Sequence, residues 1–81
     1  MAIELNRIVS TPMAQTLTIR SHALVVDGTA AEGGDDTGPN PHDLYDAALG
    51  SCKALTVLWY ARRKGIPVTD VRTVIERDAS A

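Results

Sequence analysis

"NPHDLYDAALGSCKALTVLWYARRKGIP", residues 40–67, decides the fold. Asn40 is a residue type that caps helix N-termini, Pro41 suits the first helical position, and Asp43 stands where a capping box places an acid. At the other end, Arg62, Arg63 and Lys64 complement the negative end of a helix dipole. Gly65 suits the left-handed residue that closes a helix, and Pro67 cannot continue one. The spacing predicts one helix from Pro41 to Lys64, about 36 Å long at 1.5 Å per residue.

The surface of this helix is apolar on several sides. Leu44, Ala48, Cys52, Leu55 and Trp59 share one face, while Ala54, Val57 and Ala61 lie well away from it. Only Asp46, Lys53 and Lys64 line up as a polar stripe. A helix apolar on most sides is normally buried on most sides. It would cross a domain whose radius of gyration is about 12 Å. The rest of the chain, a good part of it loop, can hardly cover it, so a second chain and further sequence beyond Ala81 are both expected.

Upstream, residues 2–9, "AIELNRIV", alternate loosely between apolar and polar, as a half-buried strand does. "STPMAQ" reads as a turn, since Pro12 cannot continue a sheet ladder. Residues 16–27, "TLTIRSHALVVD", are rich in β-branched side chains and broken at Ser21-His22; they form one long strand or a second hairpin. The stretch 28–40 holds four glycines, a proline and three acids, which predicts a loop without core-forming residues. Glu32, Asp35 and Asp36 lack the alternating spacing of a calcium loop. Downstream, "VTDVRTVIER" returns to strand-like alternation through Val68, Val71, Thr73 and Ile75. The expected class is α+β: N-terminal antiparallel strands, one long central helix, then a further strand.

Eighty-one residues make a single domain, 1–81, too small to bury much surface without a disulfide, a metal or a partner chain. One cysteine excludes an internal disulfide, and His22 and His42 make no metal-ligand spacing with Cys52. No metal or other cofactor is therefore expected. A net charge of −2 offers no basic excess to follow a phosphate backbone, so nucleic acid is not an expected partner. No apolar run approaches membrane length and the opening residues have no signal layout, so no membrane partner is expected and the cytoplasm is the expected location. A lone thiol stays reduced there.

Cys52 lies mid-helix on the apolar face. It reads either as a buried, inert thiol or as a nucleophile, and spacing alone leaves both open. The helix N-terminus is about 18 Å away, too far for its dipole to help, and Lys53 points about 100° aside. A thiolate would need a cation from elsewhere in the fold, with Arg7 and Arg20 on the strands as the candidates.

"GGDDTGPNPHDLYDAALGSC" (33–52) followed by "YARRKGIPVTDV" (60–71) resembles the OsmC/Ohr family of organic-hydroperoxide-reducing proteins. Loop, cap, helix register, cysteine and the Lys-Gly-x-Pro helix exit match together, over roughly residues 15–78. The resemblance implies an intertwined homodimer with the long helices at its centre. It also implies a thiol peroxidase in which Cys52 attacks an organic hydroperoxide and becomes a sulfenic acid, and an external dithiol reductant resets the site. The acid that the family places just inside the helix falls on Asp43 or, in the Ohr-like pattern, on His42. On a straight helix Asp43 points about 180° from Cys52 and lies some 13 Å along the axis, so it serves this thiol only through a break near Gly50 or from the partner subunit. The family's resolving cysteine belongs to a C-terminal half that is not among these 81 residues, which reads as a shortened pattern. Two further readings stand beside the peroxidase: a non-catalytic dimerisation module with a buried structural Cys52, and a single-cysteine redox sensor.

Overall fold

The computed structural model describes residues 2–77. By packing, the chain divides into two compact units, Met1–Leu44 and Tyr45–Ala81.

The first unit is built on three strands, β1 (Ile3–Arg7), β2 (Gln15–Ile19) and β3 (His22–Val26), in one antiparallel sheet of order β1-β2-β3. Pro12 falls in the β1–β2 connection, which Thr11 organises: its hydroxyl donates to the Ile8 carbonyl (2.7 Å) and accepts from the Ala14 N–H (3.1 Å). Ser21 and Arg20 form the two-residue turn between β2 and β3, with Arg20 in the left-handed region (φ 54°). Residues 16–27 are thus a hairpin arm and its return, the second of the two expected forms. The register sets Leu5, Leu17 and Leu24 opposite one another, with Ile3 and Ile19 on the same face. Glu4, Asn6, Thr16 and Thr18 stand on the other. Leu17 and Val26 are buried, whereas Ile3, Leu5 and Leu24 on that apolar face remain open.

After β3 the chain forms the expected loop without core-forming residues, and hydrogen bonds order it. Asp27, 2% exposed, accepts from the N–H of Gly28 (2.7 Å), the N–H of Asp35 (3.3 Å), and both the N–H (3.1 Å) and hydroxyl (2.7 Å) of Thr37. One buried carboxylate thereby winds residues 28–37 around itself. A 3-10 turn at Ala30–Glu32 carries its own capping box from Thr29. Gly34 and Gly38 are required by close approach: a Cβ at either would run into a backbone carbonyl, that of Gly28 or of Val25. The missing core residue in this stretch is replaced by a hydrogen-bonded one.

The loop delivers the chain to α1 (Pro41–Lys64), which has the predicted bounds. The Asp43 N–H donates to Asn40 Oδ1 (2.8 Å) and the Asn40 N–H donates to Asp43 Oδ2 (3.1 Å), a reciprocal box. Its far end closes as a Schellman motif: Gly65 is left-handed (φ 67°), Ile66 N–H donates to Ala61 O (2.8 Å) and Gly65 N–H to Arg62 O (3.4 Å).

In the second unit, the segment after α1 runs back against the helix. Thr73 and Ile75 pack over Gly50, where the absence of a Cβ makes room for the Ile75 Cδ1. Arg77 Nε meets Asp46 Oδ2 at 2.6 Å. The stripe of Asp46, Gly50 and Lys53 is thus the docked side of the helix. The expected strand through Val68–Ile75 is absent: residues 66–77 carry no strand. Their alternation is real, but a strand needs a neighbour to take up its N–H and C=O groups, and no such pairing forms among the described residues. Within α1 only Gly50 and Ala61 are buried, so the expectation of burial on most sides is not met within the chain. No helix among the described residues is long and apolar enough to cross a membrane.

Candidate functional site

Cys52 is exposed on α1, about 160° around the helix from Gly50 and hence away from the returning segment. Within this chain, nothing among the described residues encloses the thiol. The side chains one turn ahead are Leu55 and Thr56; the Thr56 hydroxyl donates back to the Cys52 carbonyl (2.8 Å), a local bond that leaves the sulfur untouched. Lys53, next in sequence, belongs to a different surface. It lines a cleft of about 280 Å³ with Asp46, Leu49, Gly50 and residues 73–75, on the docked side of the helix.

A second groove, of about 370 Å³, begins one turn beyond Cys52 and is lined by Leu55, Thr56, Leu58, Trp59 and Arg62. Positions 55, 58, 59 and 62 follow the i, i+3, i+4, i+7 pattern that puts side chains on one helical face. Leu55 is 68% and Trp59 58% exposed. Trp59 therefore lines an open groove. Tyr60, the next residue along the helix, stands apart from it with Lys64 Nζ 5.9 Å from its ring centroid. Arg63 lies 4.7 Å from the Trp59 ring centroid, a cation–π contact that fixes the indole.

Asp43 is held in the capping box at the start of α1, and the helix is continuous through Gly50, so the break that would turn Asp43 toward Cys52 is absent. His42, the alternative acid position, is exposed. The two candidate arginines occupy opposite ends of the sheet. Arg7 ends β1 opposite Gln15, while Arg20 follows Ile19, the partner of Ile3. Arg7 reaches the Thr11 carbonyl at 3.4 Å.

Two acids ahead of the helix carry the clearest electrostatic signature. Hydrogen bonds from the Thr37 hydroxyl, above all, and from the N–H groups of Thr37, Gly28 and Asp35 hold the Asp27 carboxyl below the usual aspartate range against its burial. Glu32 is lowered first by the Asn40 side-chain amide (Nδ2 to Oε1, 3.0 Å), then by Thr29. These residues were not anticipated as organisers. The signal lay in "VVDGT", where an Asp at a strand end before Gly is a residue type that turns the chain by bonding nearby N–H groups. Glu32, Asn40 and Asp43 form a chain of bonds that ties the loop to the start of the helix.

Comparison with curated proteins and with solved structures returns no match. One family model, described as OsmC-like protein, matches residues 33–81, more than half of the chain, and takes in the Asp35–Thr37 turn, the capped helix and Cys52. On that match, this chain belongs to the OsmC-like protein family.

Proposed function

We propose that the chain is a thiol-dependent reductase of organic hydroperoxides with Cys52 as the peroxidatic residue. The observation that carries this reading is an exposed cysteine one turn from an open apolar groove; the sequence resemblance adds that this helix position is where a reactive cysteine is expected. An exposed thiol can meet peroxide, and a groove of leucine and tryptophan suits an alkyl or aryl group.

The thiolate of Cys52 attacks the terminal oxygen of R–O–O–H. The O–O bond breaks, the alkoxide leaves and takes up a proton to become the alcohol, and Cys52 is left as the sulfenic acid. The peroxide is reduced by two electrons and the sulfur oxidised by two. In the return step proposed here an external dithiol acts: one thiol condenses with the sulfenic acid and releases water, and the other then displaces Cys52 as the reductant closes its own disulfide. Asp43 or His42 supplies the acid, and Arg7 or Arg20 the cation that favours the thiolate. A homodimer, which would cover the open apolar faces of sheet and helix, brings these groups from a partner subunit. The cytoplasm, where a dithiol reductant is at hand, is the proposed location.

The test is intact mass of the purified chain after stoichiometric cumene hydroperoxide. One added oxygen within seconds, absent in Cys52→Ser and erased by dithiothreitol, is the expected result. An unmodified mass after prolonged exposure would sink the proposal. An exposed single thiol also suits a redox sensor, for which the same oxidation would change the oligomeric state without sustained turnover.

A further inference from the structure

We propose that Met13 is an oxidation site through which a hydroperoxide loosens the loop wound around Asp27. The side chain leaves the β1–β2 connection, where its neighbour Ala14 is 1% exposed and accepts the Ile8 N–H on its carbonyl (2.8 Å). From there it lies across the loop. A Cβ on Gly28 would overlap Met13 Sδ, and one on the left-handed Gly33 would stand 3.5 Å from Met13 Cε. Gly28 is buried whereas Met13 is 38% exposed, so Met13 covers the glycine with one side and meets solvent with the other. Residues 28–37 carry no apolar side chain larger than alanine, and Met13 supplies the apolar cover that they lack. Gly28 is also the neck of the loop: its N–H donates to Asp27 Oδ1 (2.7 Å) and its carbonyl accepts from the Asp36 N–H (3.1 Å).

The reaction needs only the hydroperoxide. A lone pair on the Met13 sulfur attacks the terminal oxygen of R–O–O–H, the O–O bond breaks, and the alkoxide takes the hydroxyl proton and leaves as the alcohol. Sulfur is oxidised by two electrons to the sulfoxide, and the peroxide is reduced by two. The product no longer suits its place. A sulfoxide oxygen calls for hydrogen-bond donors, and the N–H groups of Gly28, Asp35 and Thr37 are already held by Asp27. Water satisfies the oxygen instead, which draws the side chain off Gly28 and uncovers the neck of the loop. Because Glu32 of this loop holds Asn40 (3.0 Å), the loosening reaches the cap of α1. Reduction of the sulfoxide reverses the change. No step involves Cys52.

The test treats the Cys52→Ser chain with excess cumene hydroperoxide. Tryptic cleavage after Arg7 and Arg20 then isolates residues 8–20, in which Met13 carries the only sulfur. The expected result is one added oxygen in that peptide and a fall in Tm of about 4–8 °C. Hydrogen exchange at the Asp35 and Thr37 amides should quicken with it. Met13→Leu, similar in volume and without a sulfur, should keep the unoxidised Tm and ignore the peroxide. Met13→Gln, polar and of similar length, should show the lower Tm without oxidant. An unmodified peptide overturns the proposal, whether in a monomer or in a dimer whose second copy shields it. So does an oxidised peptide with unchanged Tm and exchange, which marks an accessible thioether that holds nothing in place. Because the tested chain has no Cys52, either failure leaves the peroxidase reading untouched.

Discussion

Replacing Asn40 with Ala tests whether the loop and the start of α1 are one cooperative structure. Asn40 is 8% exposed and acts in two directions. Its Oδ1 accepts from the Asp43 N–H (2.8 Å), and its Nδ2 donates to Glu32 Oε1 (3.0 Å). Alanine removes both bonds but leaves the Asn40 N–H on the Asp43 carboxylate (3.1 Å), so half of the capping box survives. Loss of an N-cap side chain costs about 1 kcal/mol, within a range of roughly 0.5–2. Losing the tie to Glu32 moves the expectation to the upper half of that range, about 1–2 kcal/mol. For a domain of this size each kcal/mol shifts Tm by roughly 4–8 °C, which gives a fall of about 5–15 °C. The assay is thermal denaturation followed by circular dichroism at fixed protein concentration, since any self-association would make Tm depend on concentration. Asn40→Asp separates the two bonds: it keeps an acceptor for Asp43 but sets a second carboxylate against Glu32. Adding Glu32→Gln should return most of the Asn40→Asp loss. A change below about 0.5 kcal/mol in Asn40→Ala, the level of an ordinary surface substitution, refutes the reasoning.

Two further outcomes follow from the loop. Because hydrogen bonds lower the folded-state values of Asp27 and Glu32, both contribute stability above the ordinary carboxylate range, and that stability is lost as pH falls below about 4 and through their folded values. Urea midpoints measured from pH 7 to 2.5 should therefore decline on the acid side, and Asp27→Asn should flatten part of that decline; an identical acid limb in the variant would count against the assignment. Gly38→Ala should cost about 2–3 kcal/mol, because the new Cβ meets the Val25 backbone, which cannot swing aside as a side-chain tip does. At Gly50 the obstacle is the flexible end of Ile75, so alanine there should be far better tolerated.

The features of this fold that were legible in the sequence are those encoded by local chemistry. Asn40, Pro41, Asp43 and Gly65 fix both ends of α1 because caps are decided within a few residues, and the same holds for the turn at Thr11–Pro12; the break expected at Ser21-His22 falls one residue earlier, at Arg20–Ser21. The role of Asp27 was hidden because its partners are eight and ten residues away, and nothing in a run of glycines and acids states which carboxylate turns inward. Residues 68–75 illustrate the opposite failure. Their alternation is a correct statement of β propensity, yet pairing is a property of two segments, and the described structure gives this one a helix face instead. The position of Cys52 was legible and its exposure was not. The helix is apolar enough to predict burial, but the returning segment takes only the side marked by Gly50, and which side that would be depends on contacts outside the helix.

The sheet register also constrains the proposed chemistry. Arg7 and Arg20 were equivalent candidates while they were only strand residues, but four residue steps along β1 separate the Gln15 end of the sheet from the Ile19 end. At about 3.4 Å per step that is about 14 Å, and Arg20 lies one residue further still. A thiolate is favoured by a cation within a few ångströms, so the two arginines would have to approach one Cys52 from different ends of the sheet. Arg20, held at φ 54° in a two-residue turn, presents its side chain from a position fixed by the hairpin. Arg7 leaves a strand end next to a connection that already draws on its guanidinium through the Thr11 carbonyl. On the proposed mechanism, then, neutralising Arg20 should slow Cys52 oxidation more than neutralising Arg7, and equal rates in the two variants would count against this argument.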